Sequence, residues 1–339
     1  MDIGIVLNGR RTASEIGKLA GLAERNGISH VWLSGGSRTK DHFLRLAIAA
    51  GHTSRVLLGP VAISPFEMHP ARIGISLLTL DEILNGRACL VLGGGGDFAQ
   101  TLRLSLEHPV EAVAETIDII RQLAKGGEVD FDGELFKVKG LFSPWSTRPS
   151  PPLYVGANKP KMIRMSAMKA DGVMFTDMPL AHISSLVRLV HENLDPSNRG
   201  QERFRVCNWF AWNVQKTEEE ALRIARRNLG FRLYYIRDVA RSIGLDSATA
   251  DELARMQHRM VRAVLEGREV ELPPGSVTEL LLDHLTMTGS KQSLGHHVET
   301  LLGFEKSGLN EIALALQGDP VASINMLGKH VVPLLDRNE

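Results

Sequence analysis

The chain of 339 residues is longer than an average domain and within reach of one α/β barrel carrying insertions. Hydrophobic residues make up 43% and charged residues 23%, and 39 basic side chains balance 39 acidic ones, so no bulk field favours nucleic acid or an anionic membrane. The two cysteines support no disulfide framework, and no apolar run reaches the ~18 residues of a membrane span. The first seven residues lack the basic-then-apolar order of a signal peptide, so a cytoplasmic location is expected.

In chain order, residues 3–7 read as a first strand. Thr12-Ala13-Ser14-Glu15 then forms a capping box, Ile16, Leu19, Ala20 and Ala23 share one helical face, and Gly27 stops that helix. Residues 30–34 are strand two and a helix covers 41–50. Strand three spans 56–64, and His69-Pro70 places proline at the start of a helix running to Asn85-Gly86. Residues 89–92 are strand four.

From 98 to 150 the connection is long. It holds a helix near 110–123 and a small hairpin over 129–138 turning at Asp132-Gly133. A Pro-rich stretch, 143–152, leads into strand five at 153–155. Then come a helix (161–169), strand six (172–175), a helix (180–192) and strand seven (204–214). Thr217-Glu218-Glu219-Glu220 caps the next helix, and a helical insertion reaches about Leu285 with a break at Pro273-Pro274-Gly275. A helix over 290–306, strand eight over 311–316 and a final helix after Asp319 complete the chain.

Eight short apolar strands separated by helices point to a parallel sheet buried on both faces. A (β/α)8 TIM barrel, read as a single domain over 1–339 with insertions at about 98–150 and 230–285, accounts best for the count; an open doubly wound sheet is the alternative. In a barrel the chemistry belongs at the C-terminal strand ends. There, strand four runs into Gly93, Gly94, Gly95 and Gly96 followed by Asp97, which lets a ligand approach bare backbone. Strand five runs through Gly156-Ala157-Asn158 into a helix opened by Lys159-Pro160-Lys161, where free amides suit a phosphate. One strand end suits a flat ring and the other an anion.

Four stretches carry a family resemblance: LGPVAISPFEMHP at 58–70, LDEILNGRACLVLGGGGD at 80–97, VGANKPKM at 155–162 and ADGV at 170–173. In this order they resemble the bacterial-luciferase-like flavin enzymes, and most of all the branch of methylenetetrahydromethanopterin reductases and other coenzyme F420-dependent oxidoreductases. The resemblance implies a luciferase-like barrel that binds F420, with FMN as the alternative cofactor. It also implies a small-molecule substrate and a homodimer.

Residue by residue, the resemblance places a non-prolyl cis peptide at Val61–Ala62, with Ile63 and Ser64 beside it, behind the deazaflavin ring. Gly94 and Gly95 become the floor under the ring. Gly156, Ala157, Asn158, Lys161 and Met162 hold the cofactor's phosphate, with Ser34 and Thr176 as further cofactor contacts. Asp97 matches an acid near the reaction centre and is the candidate for proton handling. His69 and Asp177 are candidate substrate contacts, His69 being equally a helix cap.

Two departures stand out. Gly4-Ile5-Val6 replaces a Gly-Ile-Glu sequence of the methanopterin enzymes, and Ser34-Gly35-Gly36 lacks the acid–histidine pair that relatives often carry after strand two. No metal site is assigned. The expected reaction is hydride transfer between F420 and a small organic substrate; an FMN-dependent monooxygenase and a non-catalytic flavin-binding barrel are the alternatives.

Overall fold

The computed structural model describes residues 1–144, 150–194 and 204–335. Its strands are β1 (Asp2–Leu7), β2 (His30–Ser34), β3 (Leu57–Val61), β4 (Leu90–Leu92), β5 (Glu128–Asp132), β6 (Lys137–Phe142), β7 (Leu153–Gly156), β8 (Gly172–Thr176), β9 (Arg205–Val214), β10 (Thr286–Gly289) and β11 (Glu311–Leu316). Eight of them run parallel in the order β3-β2-β1-β11-β9-β8-β7-β4. The ends of this series meet: Leu58 bridges Ala88 and Ile63 bridges Leu92. The result is a nearly closed (β/α)8 barrel, built from the eight strands that the apolar runs mark out.

Helix starts follow the sequence closely. Thr12 and Glu15 make the reciprocal capping box, His69 caps the helix Pro70–Ile83, and Thr217 accepts from the Glu220 amide. Alternation along the strands divides the core. Val6, Trp32, Val61, Cys89, Val91, Tyr154, Met174, Cys207 and Ala313 form one buried cluster inside the barrel. A larger cluster lies between the strands and the surrounding helices. Neither cysteine forms a disulfide. Among the described residues, no helix is long and apolar enough to cross a membrane.

The N-terminal floor of the barrel is polar. Glu311, the first residue of β11, is fully buried; its carboxylate accepts from Trp32 Nε1 at 3.3 Å and Tyr154 Oη at 2.9 Å. Arg205 Nε and His30 Nδ1 each lie 3.6 Å from it.

Two elements differ from the sequence reading. The hairpin β5–β6 is antiparallel as expected, but Asp132 pairs with Lys137, so four residues form its loop in place of a tight Asp-Gly turn. The Glu115 carboxylate explains the wider loop: it accepts from the amides of Glu134 at 2.7 Å and Phe136 at 2.9 Å, and holds the tip open.

The second difference is β10, which the sequence reading leaves out. Its Thr-Met-Thr-Gly sequence carries no apolar run, and it forms because β9 is ten residues long. β8 pairs with β9 only as far as Trp209, and β11 pairs with the other edge up to Trp212. β10 takes the remaining edge, Ala211 to Val214, above the end of β8. The insertion therefore returns to the sheet at the rim.

Candidate active site

The strand ends expected to carry chemistry converge on one rim. β3 stops at Val61, and the Val61–Ala62 peptide is cis. Val61 is buried inside the barrel, while the next side chain, Ala62, is exposed. The main chain around Ala62 is tied on both sides: the Gly35 amide donates to Val61 O at 3.0 Å, the Ile63 amide to Val91 O at 3.0 Å, and the Gly93 amide to Ile63 O at 2.9 Å. Ile63 and Ser64 are buried, and Ser64 Oγ accepts from the Phe66 amide.

The glycine run lies directly against this segment. A Cβ at Gly93 would stand 3.2 Å from the Ala62 Cβ, and one at Gly94 would stand 3.3 Å from the Met162 Cε. Gly94 thus lies between Pro109, whose Cβ would be 3.1 Å away, and the helix Pro160–Lys169. Gly95 has φ +99°, and a Cβ there would meet Leu106 Cδ2 at 2.8 Å. A larger residue at any of the three would have to displace these neighbours. Asp97 opens the short helix Asp97–Thr101, and its side chain lies outside what the structure describes.

The turn expected to hold an anion is built by cross-strand bonds. Asn158 Nδ2 donates to Thr176 O at 3.0 Å, and Asn158 Oδ1 accepts from the Thr176 amide at 2.9 Å. Beyond it, the helix Pro160–Lys169 has no side-chain cap. Among the described residues, no acceptor takes the amides of Asn158, Lys161 or Met162. These are the uncommitted donors that an anion at a helix start requires.

One expected donor drops out. The Ala157 amide donates to Met174 O at 3.1 Å, because the β7–β8 ladder runs one residue further than the strand pattern suggests. The lysines also divide. Lys159 Nζ reaches both carboxylate oxygens of Asp238 at 2.6 Å, whereas Lys161 is exposed on the first turn.

The remaining candidates have structural duties of their own. Ser34 Oγ donates to Leu7 O at 3.1 Å and thereby ties β2 to β1. His69 Nδ1 accepts from the Ala71 amide at 3.2 Å, and its ring packs edge-on against Phe136 of the hairpin loop, so capping is its role. Asp177 is buried, 4% exposed, with φ 55°, and its Oδ1 accepts from Arg232 Nη1 at 2.5 Å. Burial raises its pKa to about 6 against the lowering effect of Arg232. A sealed, ion-paired carboxylate is not an open substrate contact.

Arg232 and His42 are rim residues that the sequence reading misses, whereas Trp209 is legible there as a strand-seven indole that packs in the core or covers a ligand. Arg232 stands in the insertion among apolar and aromatic neighbours, outside any motif. Trp209 pairs in register with Thr176 and packs on the inner cluster, with its Nε1 buried and without an acceptor among the described residues. His42 lies against Gly35, where a Cβ would stand 2.6 Å from its ring. A side chain at 35 would displace that ring.

A parallel barrel with a run of glycines and an uncapped helix start on its C-terminal rim has the α/β architecture in which enzymes carry their sites at the strand ends. The sequence model described as luciferase-like monooxygenase matches residues 1–311, and the chain belongs to that family. A 5,10-methylenetetrahydromethanopterin reductase of Archaeoglobus fulgidus is 26% identical over 330 residues, covering 93% of each chain. Among solved structures, the coenzyme F420-dependent tetrahydromethanopterin reductase from Methanopyrus kandleri superposes with a TM-score of 0.83 at 20% identity, covering 98% of this chain and 99% of the other. An F420-dependent secondary alcohol dehydrogenase bound to an F420–acetone adduct superposes at 0.78 with 15% identity, covering 98% of each.

Proposed function

We propose that this protein is an F420-dependent oxidoreductase that transfers a hydride between the deazaflavin and a small organic substrate. The observation that carries this reading is the joint geometry of the rim: exposed Ala62 faces a glycine floor, and uncommitted amides open the neighbouring helix. A planar tricycle fits the first part and its phosphate the second. The named relatives that use F420 support the same choice.

When bound, the deazaflavin supplies two-electron hydride chemistry. The chain's own residues bind and orient. Gly94, Gly95 and Met162 would hold the ring, and the Lys161 and Met162 amides would hold the phosphate. Asn158 fixes the turn through Thr176. Asp97 is assigned to handling the substrate proton. Ile63 and Ser64 pack behind Ala62. The insertion that returns through β10 would cover the substrate side of the rim. Gly4-Ile5-Val6 offers no carboxylate there, so the substrate differs from those that need a glutamate on β1.

The chain acts as one barrel domain with insertions, in the cytoplasm, as a homodimer. Leu44 and Ile48, one turn apart on the helix His42–Ala49 and both exposed, offer an apolar face for the second copy.

Titration with F420 and with FMN tests the cofactor. Bound oxidised F420 gives a single band near ~420 nm, and FMN gives two flavin bands. Tight binding of FMN without binding of F420 would replace this reading with that of a flavin monooxygenase. Light scattering in solution tests the dimer.

A further inference from the structure

One buried cation at the rim has no task in the reading above. Arg232 closes the short 3-10 turn Leu229–Arg232, and its side chain is 12% exposed. Its Nη1 is bonded to Asp177, while its Nε is buried and meets no acceptor among the described residues. A guanidinium presents five N–H donors in one plane, so a carboxylate on one edge leaves the other donors pointing elsewhere. A buried N–H without a partner costs stability unless a ligand takes it.

The connections of this group locate it. Asp177 directly follows Thr176, whose amide and carbonyl are both held by the Asn158 side chain. Arg232 is therefore fixed two links from the turn whose amides at Lys161 and Met162 are uncommitted. Lys159, the nearest alternative cation in sequence, is engaged with Asp238, and Lys161 is exposed. Arg232 is the buried cation beside this turn, where Lys161 is exposed.

We propose that Arg232 binds a phosphate oxygen of the cofactor, completing with the Lys161 and Met162 amides an anion site that spans β7, β8 and the insertion. This rests on the proposed function, because it assigns a residue to that cofactor's tail. Asp177 is the positioning residue: it holds one edge of the guanidinium so that Nε faces the anion. A planar fork suits this task, since Arg recognises phosphate through paired N–H groups and Lys does so only as a point charge.

The test is a binding matrix. Wild type, Arg232→Gln and Arg232→Lys are titrated with F420, with the deazaflavin core lacking its phosphate tail, with FMN and with riboflavin, and each variant is melted alongside. Arg232→Gln is expected to weaken the phosphate-bearing member of the bound pair by at least ~10-fold, the size of one charge-assisted hydrogen bond, and the phosphate-free member by less than about twofold. Arg232→Lys is expected to fall between wild type and Gln; it also serves as the folded comparison if the Gln variant melts early.

Equal weakening of both members, or of neither, overturns the assignment. If wild type prefers the flavin pair, the F420 reading fails, and the difference between FMN and riboflavin still decides the role of Arg232. If wild type binds no member of either pair, both are overturned.

Discussion

The side-chain amide of Asn158 clasps the main chain of Thr176 from both sides, donating to its carbonyl at 3.0 Å and accepting from its amide at 2.9 Å. β7 and β8 are thereby locked where the ladder ends. Asn158→Ala removes both bonds and leaves two backbone groups unpaired, so a loss of about 1–3 kcal/mol in stability is expected in denaturant unfolding. Binding of F420, followed by its fluorescence, is expected to weaken at least ~10-fold as the amides behind Asn158 lose their aim. Asn158→Asp should not restore it, because a carboxylate cannot donate to the Thr176 carbonyl.

Gly95 and Gly96 make a matched pair. Gly95→Ala puts a Cβ 2.8 Å from Leu106 at φ +99°, and a cost of about 1–3 kcal/mol in thermal or denaturant unfolding is expected, with loss of cofactor binding. Gly96 has φ −147° and open space around its Cα, so Gly96→Ala should melt and bind as wild type does. If the two variants behave alike, the floor is not shaped by Gly95.

Asp97→Asn separates chemistry from binding. Turnover is expected to fall about 100-fold, the usual range for a general acid or base, with F420 affinity within about twofold of wild type. Stopped-flow hydride transfer combined with a binding titration checks both. Unchanged turnover would remove Asp97 from the reaction.

Asp177 gives stability a distinctive pH dependence. Its pKa rises from 3.8 unfolded to about 6 folded, chiefly through burial, so between those values the native state holds more protons than the unfolded chain. Stability from this group is therefore greatest below about pH 4 and falls as pH rises towards 6, by up to about 3 kcal/mol. Asp177→Asn should flatten that falling limb in urea titrations run at each pH. An unchanged limb would mean that the carboxyl is ionised in the folded protein throughout.

His297 works in the opposite direction. Burial, with a smaller effect of His296, lowers its pKa from 6.5 to about 4, and the ring packs against Trp212 at 5.8 Å. Here the unfolded chain holds more protons between pH 4 and 6.5, so stability is lost as pH falls through that window. His297→Gln should remove this acid sensitivity, read as a smaller drop in melting temperature between pH 7 and 5.

How much of this was legible in the sequence follows from where each signal lies. The eight barrel strands are apolar because both of their faces are buried, and the caps at Thr12, His69 and Thr217 are local chemistry. Such features can be read without a fold. β10 could not be read: a Thr-Met-Thr-Gly segment becomes a strand only because β9 extends past β8.

The same distinction holds at the rim. Gly93 to Gly95 and the Asn158 turn announce themselves by composition. The commitment of the Ala157 amide depends on strand register, and Arg232 arrives from an insertion with no motif of its own. Asp177 is hard to read for the same reason, since a partner 55 positions away decides whether its carboxylate is open or paired.

The Glu311 carboxylate, gripped by Trp32 and Tyr154 and approached by Arg205 and His30, gathers four strands at the foot of the barrel. This knot fixes how the staves are staggered, far from the end where ligands enter. The molecule is therefore two-ended: an anchored base that determines alignment, and an upper lip whose loops can be rewritten for another reductant or another guest without unfastening the cask.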